Sequence, residues 1–194
     1  MKLSKGDTAI DFSVEDISGR LISLRDFRGK KLMLSFYRYT ECIYCNLRIH
    51  HLVKRYDEFN AKGLEKIAFF QSSENQIEKY TGKLNPPFHI ISDTQRKIYR
   101  IYGVEEYSIS GYIKGLFQIP KAIKAISLGF IPKSGEGSKT LIPADFLIAE
   151  DGKIAKSYYG SDISDHIPFS EIEEFLNAPP KFFPHKNFAF FHGR

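Results

Sequence analysis

The stretch Lys31–Leu47, KLMLSFYRYTECIYCNL, decides the fold. Its first seven residues are nearly all apolar, as a strand buried on both faces must be. Beyond Arg38 the pattern breaks, and Cys42-Ile43-Tyr44-Cys45 follows. From Cys45 to Phe59 apolar residues recur at helical spacing: Leu47, His51 or Leu52, Tyr56 and Phe59. The chain's two cysteines therefore share one strand-to-helix junction.

That location matters chemically. A thiol at a helix N-terminus faces unpaired N–H groups and the positive end of the dipole, which favour thiolate. Two intervening residues bring the sulfurs within disulfide reach across one helical turn. One thiolate can then attack and the other close an intramolecular disulfide. Two other readings compete with this: a pair of buried structural cysteines, or half of a zinc site. Zinc needs four ligands, and the sequence offers no second CxxC and no His-x₃₋₅-His, so no metal or cofactor is expected.

Outward from this junction, strand-like and helix-like periods alternate, the mark of an α/β domain. Phe12–Glu15 and Arg20–Leu24 flank the turn Asp16–Gly19 and predict a hairpin. Leu64–Gln71 and Phe88–Ser92 predict further core strands. Ser73 with Gln76 predicts a capping box opening a helix to about Lys83, and Asp93 a helix through Tyr102 ended by Gly103. Ala144–Glu150 and Lys153–Tyr159, joined by Asp151-Gly152, predict a type-I′ hairpin. Ser170 with Glu173 predicts a last capping box, the helix ending at Pro179-Pro180. Pro143 directly precedes a strand; an X–Pro bond is ordinarily trans, but a strand-leading proline in a chain with CxxC after a strand shifts the balance toward cis.

The 194 residues suit one domain, 1–194, and 42% hydrophobic with 26% charged residues excludes disorder and fibres. No apolar run reaches the ~20 residues of a spanning helix, and MKLSKGDTAIDF shows no signal-peptide core. A cytoplasmic protein is the expectation. The net charge of +5 suggests nucleic acid until it is located. Pro179–Arg194 carries +3 and Ser108–Ile142 carries +4, and removing both from +5 leaves a body of −2. The charge belongs to an insert (about 106–141) and a tail (about 179–194). No nucleic-acid motif accompanies it.

Within the insert, Tyr112–Ile131 is amphipathic with a break expected at Pro120, and 133–138 is expected as a mobile loop. Its apolar face is expected to pack on its own domain; covering the active site, a dimer contact or an anionic membrane are the other roles weighed. The tail holds five phenylalanines, too many to leave in water. It is expected to dock along the domain or on a partner subunit, so a homodimer through insert or tail is one expected assembly.

These residues resemble the thioredoxin superfamily, and within it the peroxiredoxin-like branch of the alkyl hydroperoxide reductase/thiol-specific antioxidant family. GDTAIDFSVEDISGRLISLRDFRGKKLMLSFYR, FHIISDTQRKIYRIYGV and PADFLIAEDGKIAKSYYG are similar to its opening, middle and closing segments. The resemblance implies a thioredoxin-like fold: a central mixed sheet with helices on both faces, plus the N-terminal hairpin, helical insert and aromatic tail. In the peroxiredoxin register the peroxidatic position falls on Cys45, the threonine position on Cys42, the proline position on Arg38 and the remote arginine on Pro143. The peroxide-binding Thr and Arg are thus absent in register, and a thioredoxin-like CxxC and proline stand there instead.

The implied function is a thiol-dependent oxidoreductase that reduces hydroperoxides and is recharged by an external thioredoxin- or glutathione-type reductant. A protein-disulfide reductase and a non-turnover redox-sensing module are the alternatives. Cys42, Cys45 and Pro143 are the expected catalytic residues, with Cys42, nearer the helix end and more exposed, as nucleophile. Arg38, Tyr39, Thr40, Tyr44 and Arg48 are the expected substrate-binding set; Arg38 and Arg48 offer charge to a thiolate, and Thr40 a donor to peroxide. His50, His51 and His166 are expected to be structural.

Overall fold

The apolar run Lys31–Phe36 is wholly buried and forms β3, the middle strand of the sheet. A computed structural model of the chain describes residues 1–104, 108–133 and 135–179. The five-stranded sheet has the order β5-β4-β3-β6-β7: β5 is His89–Ser92, β4 Leu64–Phe70, β6 Ala144–Ile148 and β7 Ile154–Tyr159. β4 runs parallel to β3 and β5, whereas β6 runs antiparallel to both β3 and β7. Mixed pairing follows from the connections, because parallel neighbours need a helical crossover and antiparallel ones only a hairpin.

Alternation along β3 splits the core in two. Leu32, Leu34 and Phe36 face one side, where Phe36 stacks on Phe69 at 4.9 Å and meets Tyr99 and Phe146 edge-on. The N-terminal hairpin, β1 (Ser13–Glu15) with β2 (Leu21–Ser23), and the short helix α3 (Lys97–Ile101) cover that side. Met33 and Tyr37 face the other side, under α1 (Ile43–Ala61), α2 (Glu74–Tyr80) and α6 (Phe169–Asn177). Helices therefore lie on both faces of a mixed sheet, as the resemblance implies.

Several local expectations give way to tertiary contacts. Ser73 starts α2 without a side-chain cap; its N–H donates instead to Glu136 at 2.9 Å. Asp93 accepts from the N–H groups of Lys97, Ile98 and Tyr99, but α3 begins only at Lys97 because Arg96 takes a left-handed φ of 55°. The β6–β7 turn is not type I′: only Gly152 has positive φ, and its N–H closes a four-residue turn onto Ala149. α6 begins at Phe169, so Ser170 lies inside the helix, and Glu173 pairs with Arg55 at 2.8 Å.

The insert forms α4 (Ile109–Leu116) and α5 (Ile119–Ser127). The break falls at Phe117-Gln118, and Pro120 sits in the first turn of α5, where its missing N–H is not needed. Among the described residues no peptide bond is cis, so Pro143 is trans. No described helix is long and apolar enough to cross a membrane. The tail expected to dock lies, from residue 180 onward, outside the described residues.

Candidate active site

β3 delivers its last residues to one end of the sheet under tight backbone control. Tyr37 donates its N–H to Phe69, and Gln71 donates its own to the Arg38 carbonyl at 3.1 Å. The buried Tyr99 hydroxyl donates to the carbonyls of Tyr37 and Phe69. The Phe36–Ala144 pair ends the β3–β6 ladder, so Pro143 follows at the same end of the sheet as Arg38. Its carbonyl accepts from Gly160 at 2.9 Å.

Four residues beyond Arg38, Cys42 is the N-cap of α1, and its carbonyl accepts the first helical bond from Asn46 at 3.0 Å. The Asn46 side-chain amide also donates to the Thr40 and Cys42 carbonyls, at 2.5 and 3.2 Å. Those two bonds lock the turn that presents Cys42. This role of Asn46 depends on partners that no local pattern announces.

Both cysteines are free thiols, and both are buried. Cys42 is 3% exposed and Cys45 0%, so the expected difference in exposure is all but absent. The insert packs beside them: its Tyr112 ring lies against Arg38, and the Lys139 carbonyl accepts from the same guanidinium. The two sulfurs nonetheless differ in acidity. Burial raises the Cys42 thiol, but hydrogen bonding from Cys45, the Arg38 charge and the N–H groups of Cys45 and Tyr44 outweigh it, bringing it to about 6. Cys45 moves the other way, because burial, its bond to the Cys42 sulfur and the charge there push it well above the ordinary thiol range.

Arg38 is the centre of this arrangement. It is 2% exposed, and its guanidinium donates to Cys42 Sγ at 3.4 Å. The Tyr39 ring lies 5.0 Å from it and the Tyr112 ring 5.9 Å. Among the described residues no carboxylate pairs with it. A buried cation without a counter-charge is costly, and a Cys42 thiolate is the anion at hand.

The other expected residues divide. Tyr39 is buried, and burial pushes its hydroxyl up to about 12 against the pull of Arg38. The Thr40 hydroxyl donates to Glu41 at 3.2 Å, so it is occupied within the turn. The Tyr44 hydroxyl donates to the Gly115 carbonyl of α4 at 2.8 Å. Arg48 is engaged elsewhere: it donates to Ile167 at 2.8 Å and lies 4.1 Å over the Phe169 ring. Glu41, unmarked in the sequence, is buried, and a Cβ added at Gly135 would collide with its carboxylate. The loop expected to be mobile is thus placed against the turn through Gly135, and through Glu136 against Ser73. Beside the turn a cavity of about 380 Å³ opens between Glu41, Asn46, Tyr80, Lys83, Phe130 and Lys133.

A second polar cluster lies deeper on the same side of the sheet. Asp145 accepts from His166 Nδ1 at 3.1 Å and the Ile167 N–H at 3.0 Å, and Lys66 donates to Ser35 at 2.5 Å. His166 is buried, and burial lowers its pKa against the pull of Asp145. No described group of three or more His, Cys, Asp or Glu side chains has metal-binding geometry.

The AhpC/TSA family model matches residues 5–157, most of the chain and the whole CxxC region. The chain belongs to the AhpC/TSA family. Within reach of it, a thiol-disulfide oxidoreductase ResA of Halalkalibacterium halodurans is 30% identical over 100 residues, 51% of this chain and 56% of that protein. A chloroplastic peroxiredoxin Q of Sedum lineare is 29% identical over 103 residues, 53% of this chain and 55% of that protein. The chain thus spans about half the length of these curated relatives. The crystal structure of peroxidoxin BcpB from Mycobacterium tuberculosis shares the fold, with a TM-score of 0.64 at 16% identity over 90% of this chain and 96% of that one. AhpC/TSA membership supports thiol-dependent, peroxiredoxin-like redox chemistry in general.

Proposed function

We propose that the chain is a thiol peroxidase that reduces hydroperoxides through a Cys42–Cys45 dithiol/disulfide cycle. The observation that carries this reading is the buried Arg38 guanidinium at Cys42 Sγ, with no carboxylate partner among the described residues. It holds the thiolate in the ground state and stands ready beside the oxygen that takes up negative charge. In the first step the Cys42 thiolate attacks a peroxide oxygen, an S–O bond forms and the O–O bond breaks. The departing oxygen takes a proton and leaves as alcohol or water, and Cys42 becomes a sulfenic acid. Cys45, kept as a thiol by burial, then attacks that sulfur; the S–S bond forms, and hydroxide leaves with the Cys45 proton as water. An external thioredoxin- or glutathione-type thiol returns two electrons, and we place the cycle in the cytoplasm, where such reductants are maintained.

A site with both sulfurs buried suits a small oxidant. The CxxC pair itself and the oxidoreductase relative favour a second reading, reduction of protein disulfides, which requires the insert to move aside. One reduced sample mixed in parallel with hydrogen peroxide and with insulin separates the two. Fast peroxide oxidation with slow insulin reduction is expected, and the reverse overturns the peroxidase reading. Sulfenate trapping assigns the nucleophile: Cys45→Ser is expected to accumulate a Cys42 adduct, whereas an adduct on Cys45 in Cys42→Ser reverses the roles.

A further inference from the structure

The insert helices are built inside out. In α4 the residues turned to the body are Gly111, Gly115 and the partly buried Tyr112, while Ile109, Ile113 and Leu116, spaced i, i+4, i+7, are 73%, 48% and 54% exposed. α5 repeats the arrangement: Ala125 is buried and Ala122 partly so, while Ile119, Ile123 and Ile126 are 58%, 63% and 53% exposed. Phe117 between the helices and Ile131 after them are also exposed. The expected packing of the apolar face on its own domain is therefore reversed. Small residues make the seam, which has no room for larger ones: a Cβ at Gly111 would lie 2.7 Å from Ile142, and one at Gly115 would collide with Ile163.

Among the described residues of the two helices the charge has one sign. Lys114, Lys121 and Lys124 are exposed, and none makes an ion pair among the described residues. Lys121 reaches only the carbonyl and hydroxyl of Ser164, each at 3.2 Å. Of the acids that flank the two helices in sequence, Glu136 is bonded to Ser73, and Glu105 and Glu106 lie outside the described residues. A second copy docked face to face would set lysine against lysine. The chain's own tail, with Lys181, Lys186, Arg194 and no acid, would add cations to cations. Aliphatic side chains flanked by lysines match instead a surface that is apolar inside and anionic at its edge.

We propose that the outward face of α4 and α5 docks on an anionic lipid bilayer. The face carries the geometry of an interfacial helix pair, and its opposite side holds the Tyr44 hydroxyl and lies against Arg38 through Tyr112. A docked molecule would hold the thiol site roughly one helix diameter, about 10 Å, from the lipid. The proposal stands on exposure and charge and is independent of the thiol chemistry.

Vesicle co-sedimentation of the full chain tests it, with phosphatidylcholine alone and with phosphatidylcholine mixed with phosphatidylglycerol. Binding is expected only to the anionic vesicles and to fall with salt. Ile113→Ser with Ile123→Ser is expected to weaken it roughly tenfold or more, and Lys114→Gln or Lys124→Gln roughly fivefold each. All four positions are exposed, and circular dichroism with a thermal melt checks that the variants remain folded. Absence of binding, equal binding to both vesicles, or binding indifferent to these substitutions overturns the proposal. So does a dimer in sedimentation velocity that the Ile113→Ser/Ile123→Ser variant dissolves.

Discussion

Two clusters of buried charge lie on one side of the same sheet, and they are balanced differently. In the deeper one, Asp145 faces His166, Lys66 and Arg48. Burial pushes its carboxyl up, but those three outweigh burial and hold it below the ordinary carboxylate range. Burial meanwhile brings the Lys66 ammonium down to about 7 against the pull of Asp145. That cluster contains its own anion. At the end of β3, Arg38 has no carboxylate partner among the described residues, and the anion beside it is made by ionising Cys42. One cluster holds its counter-charge as folded, while the other gains one only when Cys42 ionises.

Breaking the deeper cluster should have the largest effect, and on stability. Asp145→Asn leaves buried cations without their anion and is expected to cost about 3–5 kcal/mol in urea unfolding, with the Cys42 alkylation profile unmoved. A displaced profile would mean that the two clusters are one. Arg38→Met acts on the other cluster: the Cys42 thiol should rise toward its ordinary value of about 8.5, slowing iodoacetamide alkylation at neutral pH by roughly tenfold. An unchanged rate would remove Arg38 from the site.

The same contrast can be sharpened by pH. Cys42 in the folded protein titrates near 6, below the unfolded thiol, so the unfolded state binds more protons between those values. The reduced protein should therefore gain stability as pH rises from about 6 to about 8.5, and lose it as pH falls through about 6. Cys42→Ser should flatten that window, and denaturation series at several pH values would show whether it does. Tyr44→Phe should have the smallest effect. Losing its bond to Gly115 is expected to cost about 1 kcal/mol, read as a small drop in Tm, with faster amide exchange in α4.

The strands and α1 were legible because their signals are local: a six-residue apolar run, a helical period, two cysteines three apart. The N-terminal hairpin and the helical nature of the insert were legible on the same grounds. The failures share a cause in contacts distant along the chain. Ser73 carries a capping pattern, yet its N–H goes to Glu136, sixty-three residues on. Asn46 and Glu41 look ordinary until the turn and the insert close around them. Asp145 joins Ser35 only through the β3–β6 register, which no period announces. The insert misled most, because a moment in the sequence shows that one face is apolar and not which way it is turned. Arg38 was visible as the residue ending a core strand, and the structure adds its burial against Cys42 with no carboxylate partner among the described residues.

The Tyr44 hydroxyl gives the site a mechanical side. Tyr44 lies between the two cysteines in the first turn of α1, and its far end holds the backbone of α4. Any change of pitch in that turn that carries the ring with it draws on the Gly115 carbonyl, while the glycine seam allows no compensating rotation toward Ile163. The side chain is a tie rod: one hydrogen bond joins the turn that carries Cys42 to the helix whose other side meets the surroundings.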